Sequence, residues 1–290
     1  MSGLDRRAIR RAFGRAARRY EQSAVLQREV ETRLLERVVY LERAPGRVLD
    51  LGTGPGRAAS LLKRRYRKAE VIALDPALAM LRLAHARGRW LHPLRAVCGE
   101  GESLPLADGT IDLLFSNLCL QWCEDLPRVL DECRRVLAPG GLLLLSTFGP
   151  DTLQELRAAW SDDDAPHVSR FVDLPVIGDA LLAAGFRDPV VDRETFTLEY
   201  GDAMALMRDL KNIGAGNAEL GRRRGLTGRR RLQAALAGYE RFRVAGKLPA
   251  TYEVIYAQAF GPDPGQPRRG AGGDLAAVSV ETLRERLKRR

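Results

Sequence analysis

The chain has 290 residues, 45% hydrophobic and 29% charged, enough to bury one large core or two small ones, so wholesale disorder and collagen-like repeats are excluded. No run approaches the 18 or so consecutive apolar residues of a membrane-spanning helix. The formal charge is +10, from 47 basic and 37 acidic residues, which suits an acidic partner, although an arginine bias with so few lysines also arises from gene base composition alone.

The first 20 residues are arginine-rich but contain Asp5 and little serine, and read as a retained amphipathic helix rather than a transit peptide. Helical spacing continues through Ile9, Phe13 and Ala16 or Ala17, then Val25, Leu26, Val30, Leu34 and Val38, until Pro45-Gly46 ends the region. Short apolar strands then alternate with helical stretches. Strands are predicted at Val48–Leu51, Val71–Leu74, about Leu94–Cys98, Ile111–Phe115 and Leu142–Thr147, the last entered by a turn at Pro139-Gly140-Gly141. Helices are predicted after the first strand to about Tyr66, from Pro76 to Arg87, and from Leu126 to Leu137.

Past Gly149 the pattern predicts a helix over Asp179–Ala184 and strands over Pro189–Leu198 and Tyr252–Phe260, with helical residues between them. The expected organisation is an N-terminal helical segment (1–45), a core (46–200), a helical cap (201–250) inserted before the last strand (251–260), and a linker with a basic C-terminal helix (261–290). Alternating strands and helices imply a mostly parallel sheet covered on both faces. Cys98, Cys119, Cys123 and Cys133 lie at or near core elements of a chain that needs no staples, which points to a reducing, cytoplasmic setting.

The segment Asp50-Leu51-Gly52-Thr53-Gly54-Pro55-Gly56-Arg57 runs from a strand into a helix, the position of a nucleotide cradle. The dinucleotide fingerprint needs a third glycine where Arg57 stands, and Pro55 lacks an N–H for phosphate, so that fingerprint fails. What remains is an acid-x-Gly-x-Gly turn suited to S-adenosylmethionine. Asp50 would accept from its ammonium, Gly52 and Gly54 would leave room for the methionine arm, and Asp75 would hold the ribose hydroxyls. Glu100 or Glu102 would bound the adenine, and Asn117 lies at the carboxyl edge of the sheet where ligands of open sheets sit. These features occur in the order of a class I, Rossmann-like methyltransferase with a seven-stranded sheet.

Within that class the chain resembles the malonyl-[acyl-carrier protein] O-methyltransferase family of biotin synthesis. The similarity is carried by Phe13-Gly14-Arg15-Ala16-Ala17 to Tyr20-Glu21, Ser116-Asn117-Leu118 with Gln121-Trp122-Cys123, Asp209-Leu210-Lys211, Ile213-Gly214-Ala215, Leu226-Thr227 and Pro249 to Val254. Departures are Thr53 in the turn, Ser169 before Arg170-Phe171, Pro175-Val176, and residues 261–290, for which no counterpart in the family is identified. A related group, the respiratory complex I assembly factors, shares much of the pattern and supplies the alternative of a methyltransferase-fold protein without turnover. A methyltransferase acting on another small acid is a further alternative.

The resemblance implies methyl transfer to the free carboxylate of a malonyl thioester on acyl carrier protein. That carboxylate is already ionised at neutral pH, so no dedicated acid–base residue is expected and catalysis reduces to alignment and desolvation. Arg170 and Lys211 are the expected carboxylate anchors, with Tyr20, Gln121, Trp122 and Tyr252 shaping the pocket. The carrier of the family's substrate is acidic, and Arg222, Arg223, Arg224, Arg229, Arg230 and Arg231 are its expected docking patch. The cysteines and His85, His92 and His167 lack zinc-site spacing, so no metal is expected; nucleic-acid binding has only the positive charge in its favour.

Overall fold

The computed structural model describes residues 3–88, 93–160, 165–223, 225, 227–263, 268–270 and 273–275. The N-terminal segment is broken into α1 (Arg6–Ala16), α2 (Tyr20–Ser23) and α3 (Val25–Glu36), with a 3-10 turn at Arg37–Tyr40. Asp5 starts α1 by accepting from the Ala8 N–H at 3.0 Å. Leu26, Val30, Leu34 and Val38, spaced to share one face, are buried against the sheet.

The core alternates β1 (Arg47–Leu51), α4 (Arg57–Arg65), β2 (Glu70–Asp75), α5 (Leu78–Arg87), β3 (Arg95–Cys98), β4 (Ile111–Asn117), α6 (Leu126–Val136) and β5 (Leu137–Phe148). After α7 (Gln154–Ala159) and α8 (Leu174–Ala183), β6 (Arg187–Tyr200) and β7 (Leu248–Phe260) enclose α9 (Ala203–Asn212) and α10 (Arg229–Glu240). The seven strands lie in the order β3-β2-β1-β4-β5-β7-β6. The first five run parallel and β7 runs antiparallel to both β5 and β6. Alternate residues feed two cores: Val48, Leu113, Phe115, Leu142 and Leu144 face α3 and α4, while Leu49, Leu114, Leu143 and Leu145 face α6 and α8. The strand order reverses between β1 and β4, which opens a crevice at their carboxyl ends.

Several boundaries differ from expectation. Pro139-Gly140-Gly141 is a bulge inside β5 rather than a turn before it: Ile111 pairs Leu137 while Leu113 pairs Leu142, and the extra residues bond to Gly261 instead. The helix expected from Asp179 begins at Leu174, where Asp173 accepts from the Leu174 N–H and Pro175 occupies the first turn. Helix α7 follows Leu153, whose φ is +55°, and no capping side chain marks its start. Strand β7 begins at Leu248, ahead of the boundary expected at residue 251. Within the expected linker and tail, β8 (Arg268–Gly270) and β9 (Gly273–Leu275) form an antiparallel ribbon, and the expected C-terminal helix lies outside the described residues. Cys98 is exposed at the sheet edge, whereas Cys133 is buried. Among the described residues no helix is long and apolar enough to cross a membrane.

Candidate active site

The glycine turn closes the carboxyl end of β1. Gly52, Gly54 and Gly56 have φ of +73°, +52° and +81°, conformations in which a Cβ meets the backbone. The N–H groups of Gly52 and Thr53 both donate to the Leu74 carbonyl, at 2.8 and 3.0 Å, which ties the turn to β2. A Cβ on Gly56 would lie 2.6 Å from Ala84, so this glycine performs the close packing of α4 against α5 that a dinucleotide turn assigns to the position of Arg57. A Cβ on Gly54 would meet nothing within 4 Å, because that residue faces a cavity.

Asp50, 2% exposed, accepts from the Thr53 hydroxyl at 2.6 Å and the Ala59 N–H at 3.0 Å. Burial outweighs those two bonds and pushes its carboxyl up to about 7. Asp75 accepts from the Gly54 and Ala77 N–H groups at 3.0 and 2.8 Å, and burial raises it to about 6. Asp75 thus uses one oxygen for each bond, whereas both bonds to Asp50 fall on its Oδ2 and leave Oδ1 as a further acceptor. Asn117 donates to the Gln27 carbonyl at 3.0 Å and accepts from Ser146 at 2.9 Å.

The N-terminal helices complete this cavity with residues the sequence reading did not place there. Ala24, Gln27, Arg28 and Glu31 line it opposite Asp50, Gly52, Gly54 and Asn117. Glu31 is buried and paired with Arg57, yet its carboxyl is pushed up to about 7, by burial first and by the charge of Asp50 among the lesser causes. The signal available was Gln27 and Glu31 at i,i+4, beside the apolar stripe of Leu26, Val30 and Leu34. Tyr20, expected among substrate residues, lines this same cavity instead, and burial together with the charge of Asp75 raises its phenol. A cavity walled by desolvated carboxyls stabilises a cationic ligand, because positive charge offsets the cost of ionising them.

A second cavity lies beneath the cap, walled by Trp122, Phe148, Leu153, Phe171, Leu210 and Tyr252, with polar atoms from Gln27, Thr152, His167, Ser169 and Asn217. Phe148 packs against Phe171 and Tyr252 at 5.6 and 5.8 Å, and Trp122 meets Phe13 of α1 edge-on at 5.2 Å. Gln27 borders both cavities.

Other expected residues stand elsewhere. Glu100 and Glu102 are held by Arg6 of α1 at 2.8 and 2.9 Å, and neither lines the glycine-turn cavity. They anchor the N-terminal helix because Glu102 is buried and needs a cation. Arg170 and Lys211 are exposed and outside both cavities; at Arg170 only the main-chain N–H is engaged, by Glu219. Gln121 is spent on structure, donating to the Leu118 carbonyl at 2.7 Å and accepting from Thr147 at 3.2 Å. Arg222 is half-buried, bonded to Asp5 at 2.8 Å and to the Glu219 carbonyl at 2.9 Å, so it joins the N-terminus to the cap rather than facing a partner. Arg223, Arg229, Arg230 and Arg231 are exposed, and Arg224 lies outside the described residues.

Two motifs distant in sequence touch: Gly214, at φ +76°, faces Phe13, where a Cβ would come within 3.1 Å of the Phe13 backbone. Tyr239 of α10 donates to the Pro249 carbonyl of β7 at 2.8 Å and so seats the cap, while buried Glu155 ties α7 to β7 by accepting from the Thr251 N–H at 3.1 Å.

Residues 49–145 match the model of a methyltransferase domain family. The fold is similar to that of the YcgJ protein of Bacillus subtilis (TM-score 0.56, 18% identity, covering 80% of this chain and 98% of that one). It is also similar to that of the (4+2)-cyclase SpnF (TM-score 0.53, 22% identity, 81% and 82% coverage). Fold, glycine turn and domain match together define a class I methyltransferase domain. A Xylella fastidiosa protein named malonyl-[acyl-carrier protein] O-methyltransferase is 51% identical, covering 98% of this chain and 97% of its own. Proteins of that name from Halorhodospira halophila and, with the suffix 1, Coxiella burnetii are 49% and 40% identical, covering 98% and 97% of this chain and 97% and 96% of their own. The chain belongs to the malonyl-[acyl-carrier protein] O-methyltransferase family.

Proposed function

We propose that this chain methylates the free carboxylate of a malonyl thioester carried on acyl carrier protein, an early step of biotin synthesis, with S-adenosylmethionine as methyl donor. The observation that carries the reading is the pairing of an acid-walled cavity at the glycine turn with an adjoining, largely apolar cavity under the cap, in a chain of this family. The residues present fit the donor: it brings an ammonium and a sulfonium, and the site offers Asp50 and Asp75, buried carboxyls with no cation paired to them among the described residues, beside Glu31, which Arg57 pairs. When bound, it supplies an electrophilic methyl group.

The protein's own part is to bind, orient and dehydrate. Asp50 and Asp75 hold the turn open in its left-handed conformations, and Glu31 with Tyr20 closes the cavity from the N-terminal side. A malonyl carboxylate is ionised near neutral pH and needs no base. Phe148, Phe171 and Tyr252 strip water from it, which favours a step in which an anion and a cation are both neutralised. Exposed Arg229, Arg230 and Arg231, at the first turn of α10, are the patch proposed to receive the acidic carrier.

The test is incubation of purified protein with labelled S-adenosylmethionine and either malonyl- or acetyl-carrier. Methyl ester on the malonyl form alone is the expected result. Donor binding without ester formation would overturn the acceptor assignment and leave an assembly role or a different acid.

A further inference from the structure

We propose that Gln27 is the group that orients the acceptor carboxylate, through its side-chain amide, and that no lysine or arginine side chain takes part in holding it. The inference rests on the acceptor reading above and names the recognition chemistry within it.

Gln27 borders both cavities and so stands where the two approach each other. Its position is rigid. The Gln27 carbonyl accepts from Asn117 at the end of β4, and Asn117 in turn accepts from Ser146 in β5. The first turn of α3 is thereby pinned to the carboxyl edges of two central strands, while among the described residues the side-chain amide has no hydrogen-bond partner. Among the described residues no lysine or arginine lines the cavity under the cap, and Arg170 and Lys211 are exposed.

A neutral donor suits the reaction better than a cation. In the transfer a carboxylate oxygen forms the new bond to carbon, the electron pair of the breaking carbon–sulfur bond stays on sulfur, and no proton moves. One negative and one positive charge disappear. A guanidinium on the nucleophile would stabilise the carboxylate most before reaction and least after it, adding to the barrier. An amide N–H fixes one oxygen by a charge-assisted bond and leaves the other free to attack.

The test uses the full chain with Gln27→Leu, Gln27→Asn and Gln27→Glu. Loss of one hydrogen bond to a charged group should lower kcat/KM for malonyl-carrier about ten- to a hundredfold in Gln27→Leu. Calorimetric affinity for S-adenosylmethionine should stay within about threefold of wild type if the amide serves the acceptor alone. Binding of malonyl-carrier in the presence of S-adenosylhomocysteine, followed by fluorescence anisotropy, should weaken in parallel, and Gln27→Asn should recover part of both losses. Gln27→Glu should regain rate as pH falls and its new carboxyl takes a proton, a profile that a merely structural role would not create. If wild type forms ester and Gln27→Leu does so within twofold, or loses donor binding as much as rate, this inference falls alone. If wild type forms no ester, the acceptor reading and this inference fall together.

Discussion

Alanine at Gly52 and at Gly54 makes the same chemical change two residues apart, with unequal expected consequences. Both positions have positive φ, which costs an L-residue about 1–2 kcal/mol. At Gly52 the new Cβ would also stand 2.6 Å from the Cβ of Cys119 and closer still to its Sγ, so a rotamer change cannot relieve the clash. Overpacking of that kind adds about 1–3 kcal/mol. Gly52→Ala should therefore lose about 2–5 kcal/mol, and in a chain of this size about 2 °C of Tm per kcal/mol gives a fall of about 4–10 °C. Gly54→Ala should lose only about 2–4 °C, from backbone strain alone, but its methyl enters the cavity and should weaken S-adenosylmethionine binding more than Gly52→Ala weakens it per degree of Tm lost. Thermal melts and calorimetry on both variants, with Cys119→Gly alone and combined with Gly52→Ala, complete a double-mutant cycle. The combined variant should recover about 1–3 kcal/mol of coupling. Equal melting of the two alanine variants, or no coupling with Cys119→Gly, would refute the packing argument.

Four further outcomes are expected. Glu31, Asp50 and Asp75 hold protons more tightly folded than unfolded, so the stability they contribute without ligand is present below about pH 4 and lost as pH rises through about 6–7; Asp50→Asn should flatten that decline in Tm. A cationic ligand favours their ionised forms, so S-adenosylmethionine should bind with proton release near pH 6.5, read by calorimetry in two buffers of different ionisation enthalpy, and Glu31→Gln should release fewer protons. Arg6→Ala unties α1 from Glu100 and buried Glu102; because the arginine is 39% exposed, the loss should be near 1 kcal/mol, or about 2 °C of Tm. Replacing Arg229, Arg230 and Arg231 by Gln should slow carrier association and flatten its salt dependence with kcat unchanged, whereas an unaltered salt slope would remove the docking patch.

What could be read from the sequence was local. Val48–Leu51 running into Gly52-Thr53-Gly54 declares a strand, a turn with positive φ and a helix start within ten residues, and Asp75 ends the next apolar run. The positions missed depend on where separate pieces of chain come to rest. Nothing near Tyr20 or Glu31 indicates that α2 and α3 lie across the carboxyl ends of β1 and β4, since that follows from burying Leu26, Val30 and Leu34. Glu100 and Glu102 stood at the right place along the chain for an adenine contact, but Arg6 arrived first from the other end of the sequence. Arg170 and Lys211 show the converse error: a site for an anion invites a basic residue, and a chain with 47 of them offers many on the surface.

The placement of charge follows one electrostatic logic. The glycine-turn cavity is lined by Glu31 and Asp50, with Asp75 bonded to the turn behind them, where a cation is to be held, and each remains near its proton until one arrives. The cavity under the cap does the reverse, presenting aromatic rings with hydroxyl and amide groups where an anion is to react. If a lysine or arginine stood there, the acceptor would bind more tightly and react more slowly. Binding selectivity for the carboxylate then comes from the proposed Gln27 amide together with the bound sulfonium, which attracts an anion at close range in a low-dielectric cavity. Donor before acceptor is the binding order this arrangement imposes, and acceptor affinity measured with and without donor should differ accordingly.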